Sequence, residues 1–185
     1  YGDNPTIPNV ELSFEQAKML FDYGEKVVIE VFFSVFDVER VDWCEKIGVK
    51  RYKLAAGQLS SYPAGKLYQR VLNTGKPLIA SMEYPTFGDI GGTTKLFCPA
   101  GYPQEAFLSG VMFEPYDDYD ADYHGFSDHT VDLHAAKIAL ARGAQIIEKH
   151  FVIEHDKAFP DNDWSMTPDE LRELVKWEKI CREIL

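Results

Sequence analysis

The sequence predicts an α/β fold: a parallel sheet covered by helices. Three observations carry the prediction. Apolar runs of strand length alternate with segments of helical spacing along most of the chain. The first of those runs, 27–34, is β-branched and aromatic without strict polar alternation, as in a strand buried on both faces. Residues 125–151 then read as strand, helix, strand, and each of these strands ends in a histidine.

In chain order, residues 1–11 are polar and proline-bearing and read as a loop. Ser13-Phe14-Glu15-Gln16 fits a capping box, Ala17, Leu20 and Phe21 supply a helical face, and Gly24 is the expected stop. The strand at 27–34 follows. Asp37 caps a helix carrying Val41, Cys44 and Ile47, stopped by Gly48. A strand at 51–56 precedes a helix that opens at Pro63 and runs through Leu67 and Val71 to Gly75, and 77–82 is the third strand. The stretch 83–94 has three glycines, a proline and no helical periodicity before a strand at 95–98, so this crossover lacks an ordinary covering helix. A brief helix is expected after Tyr102-Pro103, and the acidic, tyrosine-rich stretch 114–122 reads as a solvated loop. After the strand at 125–130, Leu133, Ala136 and Leu140 mark a helix that Gly143 ends, and 146–151 is the sixth strand. Thr167-Pro168-Asp169-Glu170 combines a capping box with proline at the first helical position, and Leu171, Leu174, Cys181 and Ile184 continue the apolar stripe.

Composition narrows the function classes. With 185 residues, 45% of them apolar, the chain reads as one domain over 1–185 with a real core. A formal charge of −11 argues against nonspecific nucleic-acid or anionic-membrane binding, so an anionic substrate would need a local positive pocket or a metal. No run is long enough for a membrane helix. Cys44, Cys98 and Cys181, odd in number and set among apolar residues, read as reduced core cysteines of a cytoplasmic protein.

Side chains alternate along a strand, so Ser127 and His129 point together, as do Ile146, Glu148 and His150, with Lys149 on the opposite face. A right-handed crossover makes the two strands parallel neighbours, which brings His129 and His150 to one carboxyl-terminal rim. Two converging imidazoles, with Glu148 one pleat deeper, are a metal-site geometry; the alternative is that each histidine caps its own strand by hydrogen bonding.

At Gly125-Phe126-Ser127-Asp128-His129-Thr130, at Gly143-Ala144-Gln145-Ile146-Ile147-Glu148-Lys149-His150-Phe151 and at Pro160-Asp161 before Ser165, the chain resembles the sialic acid synthase family. Weaker similarity reaches back to about Val27. The resemblance implies a (β/α)8 TIM-type barrel, here partial or reduced, with about six parallel strands aligned to the family's third to eighth and no counterpart of its antifreeze-like C-terminal domain. Either the family's first two strands lie in a segment upstream of Tyr1, or this is a reduced, open version whose exposed edges a homo-oligomer covers. It implies condensation of phosphoenolpyruvate with an N-acylated amino sugar, giving a nonulosonic acid and phosphate. His129 and His150 match the family's ligands for Mn²⁺ or Mg²⁺, and Glu148 matches a carboxylate beside the metal. Lys53 matches the phosphate-binding lysine, Ser81 and Ser127 match hydroxyl donors, Tyr102 matches a tyrosine at the substrate mouth, and Asp161 matches the acid that holds sugar hydroxyls.

The chain also departs from the pattern. The family's Ser-Gly-Glu after the lysine strand is Ala56-Gly57-Gln58, its Thr-Gly after the next strand is Met82-Glu83, and Ala100 replaces an asparagine. A glutamine cannot act as a general base, so the phosphate end is eroded while the metal end is intact. Two further readings therefore stay open: a non-catalytic homologue that binds metal and sugar, and a metal-dependent lyase or hydrolase using the same histidines.

Overall fold

The structure, a computed structural model, describes residues 11–59, 65–82, 92–99, 101, 123–155 and 161–184. Helix α1 (Phe14–Val27) opens on the expected capping box: the Ser13 hydroxyl accepts from the Gln16 N–H and the Gln16 side chain accepts from the Ser13 N–H. Gly24 does not end it. The helix runs on to Val27 and stops at Val28, which is left-handed at φ 59°. Gly24 is instead a packing residue, since a Cβ there would lie 2.4 Å from Val31 Cγ2 and 2.7 Å from the Ile29 carbonyl oxygen.

The strand expected at 27–34 is mostly absent as a ladder. Helix α1 takes its first residue, Val28 is its left-handed cap, and the remainder meets β1 (Tyr52–Leu54) at one parallel bridge, Ser34 to Lys53. Val28 is 91% and Ile29 63% exposed, so an apolar run alone did not secure pairing along its whole length. Among the described residues five parallel strands follow, in the order β1, β2 (Leu78–Met82), β3 (Thr93–Phe97), β4 (Tyr123–Asp128) and β5 (Ile146–Lys149). Between them run α2 (Val38–Ile47), α3 (Lys66–Leu72) and α4 (His134–Ala141), and α5 (Pro168–Ile184) closes the chain. Asp37 caps α2 through the Arg40 N–H, and Gly48 ends it in the left-handed region, both as predicted. Pro63, Tyr102, Ala100, the brief helix after Tyr102, the acidic stretch and most of 83–94 lie outside the described residues.

The sheet curls into a half-barrel. In a flat sheet β1 and β5 would stand about 19 Å apart, yet Lys53 on the first strand reaches Glu148 on the last at 2.9 Å. On the convex side Tyr52, Leu54 and Met82 pack with Val41, Cys44 and Val71. Phe97 and Phe126 meet Ala135 and Ala139 of α4 there as well. Leu133, Ala136 and Leu140 join α4 to Leu174 and Cys181 of α5. Gly125 lets β4 and β5 approach closely, because a Cβ there would sit 2.1 Å from the Ile146 carbonyl oxygen. The three cysteines are buried and none is disulfide-bonded. Among the described residues no helix is long and apolar enough to cross a membrane.

Candidate active site

The concave face carries the polar residues. Tyr52 and Leu54 belong to the convex core, so the intervening Lys53 faces inward, where it is buried at 5% exposure. Its ammonium pairs with Glu148 Oε1 at 2.9 Å. Ser81, at the inner end of β2, donates to Glu148 Oε2 at 2.5 Å, and the Ser127 side chain also bonds the Glu148 carboxylate. One carboxylate thus gathers groups from β1, β2 and β4. Burial opposes its ionisation, but Lys53 and the Ser81 hydroxyl outweigh this and hold Glu148 below the ordinary carboxylate range.

The two histidines lie just past the ends of β4 and β5. Their ring centroids are 5.2 Å apart, with the planes tilted at 59°. Burial, helped by the neighbouring His150, pushes His129 down to about 4, so at neutral pH it presents an uncharged imidazole. Asp161 approaches His150 Nδ1 at 3.9 Å from a left-handed turn, and the edge of Trp164 faces the His150 ring at 6.5 Å. The turn is tied down at both ends: Ser165 Oγ donates to the Asp161 carbonyl at 2.7 Å, and His155 Nδ1 lies 3.0 Å from the Asn162 carbonyl oxygen.

Of the eight residues singled out in the sequence, Lys53, Ser81, Ser127 and Glu148 form one bonded cluster, and His129, His150 and Asp161 form a second group at the rim. Tyr102 lies outside the described residues. Metal–nitrogen bonds of about 2.0–2.1 Å require two imidazoles that share a cation to stand within a few ångströms of each other, and this pair does. Among the described residues no cluster of three or more metal-type donors forms. Gln58 sits on a 3₁₀ turn (Ala56–Leu59) directly after β1, where an amide rather than an acid is available.

Two features at the site were missed in the sequence. Trp164 was not assigned a role, although it lies three residues beyond Asp161. Asp128 and Lys149 were not paired, although alternation puts both on the face away from the histidines. They form an ion pair at 3.1 Å with side chains 0% and 1% exposed, and burial raises Asp128 despite the nearby ammonium.

Comparison with known proteins identifies the family and the fold. The chain is 30% identical over 190 residues to an uncharacterised protein of Methanocaldococcus jannaschii, covering 96% of this chain and 56% of that one. It is 29% identical over 185 residues to the N,N'-diacetyllegionaminic acid synthase of Campylobacter jejuni, covering 91% and 54%. The chain thus spans about half the length of the curated relatives it matches. Among solved structures, the sialic acid synthetase of Leptospira borgpetersenii superposes with a TM-score of 0.83 at 24% identity, over 100% of this chain and 69% of that one. That likeness identifies the fold as part of a (β/α) barrel. The family model for NeuB matches residues 5–185, nearly the whole length, and the chain belongs to the NeuB family.

Proposed function

We propose that this chain carries a sugar-acid synthase site that condenses phosphoenolpyruvate with an N-acylated amino sugar, giving a nonulosonic acid and phosphate. Sugar-acid synthases recur among the relatives, which include a pseudaminic acid synthase of Helicobacter pylori at 24% identity. The observation that carries the reading is the placement of two imidazoles, 5.2 Å apart, above a Lys53–Glu148–Ser81 cluster on one concave face.

The reaction joins the methylene carbon of phosphoenolpyruvate to the sugar's aldehyde carbon, adds water at the adjoining carbon and releases phosphate. Lys53 supplies the buried cation for the phosphate or carboxylate, and Ser81 and Ser127 supply hydroxyl donors beside it. Glu148 keeps these three groups aimed at one point and, being ionised, is a proton acceptor. His129 and His150 would hold Mn²⁺ or Mg²⁺, which when bound polarises the aldehyde oxygen as a Lewis acid. Asp161, 3.9 Å from His150 Nδ1, would accept hydrogen bonds from sugar hydroxyls. Because Ala56 and Gln58 remove a hydroxyl and an acid after β1, a binding-only homologue is the competing reading.

The test is phosphate release from phosphoenolpyruvate with Mn²⁺ and a panel of N-acylated hexosamines, beside His150→Ala. Sugar-dependent release that the variant lowers at least ~100-fold is the expected result. No release by the parent, with Mn²⁺ still bound, would establish the binding-only reading. Sugar or phosphate-ester turnover without phosphoenolpyruvate would indicate a lyase or hydrolase.

A further inference from the structure

The β4–β5 ladder ends at the pair Asp128 and Lys149, one residue short of both histidines. No further rung of that ladder sets the distance between His129 and His150. Side chains on the convex face take over that task. Asp128 Oδ1 accepts from the Thr130 N–H at 2.8 Å and from the Thr130 hydroxyl at 2.8 Å, closing a tight turn with His129 at its centre. The Lys149 ammonium donates to Asp128 Oδ2 at 3.1 Å and to the Thr130 carbonyl at 2.6 Å. It therefore grips both residues that flank His129, and it is itself joined by one peptide bond to His150.

A buried pair of this kind is a poor source of net stability, since apolar side chains of similar volume often serve as well. Its directional bonds do what apolar packing cannot, which is to lock the strand ends in one register. We propose that Lys149, with Asp128 as its counter-ion, is a positioning residue that holds the imidazoles of His129 and His150 at their working separation. The proposal rests on the reading above for its role in function; the spacing of the rings belongs to the chain itself and is tested without metal.

The test compares the parent with Lys149→Met and with Asp128→Asn/Lys149→Met. The double variant leaves no buried charge unpaired and keeps an Oδ1 acceptor for Thr130, so it carries the same comparison if the single variant fails to fold. In metal-free protein labelled at histidine, the parent should show a nuclear Overhauser contact between the two rings, and the folded variant should lose it. Mn²⁺ affinity, measured by titration, should fall about 10–100-fold in the variant, with circular dichroism unchanged. A folded variant that keeps the ring-to-ring contact and full Mn²⁺ affinity would overturn the positioning role and leave the proposed reaction standing. A parent that binds no Mn²⁺, yet loses the ring contact on substitution of Lys149, would support the clamp and overturn the metal-site reading instead.

Discussion

His129 concentrates the acid sensitivity of the site in one residue. Its folded-state value is about 4, against about 6.5 in an unfolded chain. Between those two values the unfolded chain takes up a proton that the folded one refuses. Stability from this group is therefore full above pH ~6.5 and is lost as pH falls towards 4, at about 1.4 kcal/mol per unit and on the order of 3 kcal/mol in all. Glu148, held low, adds a loss below its unfolded value near ~4.3, and Asp128, raised by burial, works in the opposite sense. Comparison with His129→Gln isolates the histidine: urea midpoints of the metal-free protein should fall more steeply with acid for the parent between pH 6.5 and 4. Parallel slopes would mean that burial does not depress this imidazole. His150 sits in the more open half of the pair, its side chain 37% exposed, so the two rings are chemically unequal although the sequence presents them alike.

At the scale of elements, helix ends and strand faces were the most legible features. Ser13, Asp37 and Gly48 are local devices, each satisfied by partners within a few residues, and local chemistry is what a sequence displays. Alternation likewise set His129 and His150 on one side and Lys149 on the other. The 27–34 segment failed because pairing is decided by a neighbour rather than by composition: only Ser34 bridges to Lys53. Gly24 failed for a related reason, since its role lies in contact with Val31 and not in the chain direction. These two misreadings meet in one prediction about the end of α1. Gly24→Ala should destabilise by about 1–3 kcal/mol, because the added methyl group collides with Val31 and with the Ile29 carbonyl. Val28→Asn should stabilise by about 0.5–1 kcal/mol, since a β-branched residue at φ 59° is strained and asparagine tolerates that region. Denaturation midpoints that move in the same direction for both variants would contradict this account of the helix end.

For the molecule as a whole, the curl of the sheet is the property that strand periodicity alone left undetermined. Its first and last strands are tied across the concave face. Lys53 and Glu148 are the two ends of that tie, with side chains 7% and 36% exposed. The inequality sets the energetic consequences. Glu148→Gln leaves an almost fully buried ammonium without its counter-ion and should cost about 2–4 kcal/mol. Lys53→Met leaves a carboxylate that still takes hydroxyl bonds from Ser81 and Ser127 and still meets solvent, so it should cost about 1 kcal/mol. The double variant, with no buried charge left over, should recover most of the stability lost by Glu148→Gln. Under the proposed reaction all three should lack phosphate release, since none retains both the cation and the carboxylate. Stability and activity then separate: the double variant is close to the parent in denaturation midpoint and inert in turnover. If both single variants unfold at the parent's midpoint, the contact between β1 and β5 is not what holds the half-barrel curled, and the curvature must come from the packing of Tyr52, Leu54, Met82 and Phe126 against the helices.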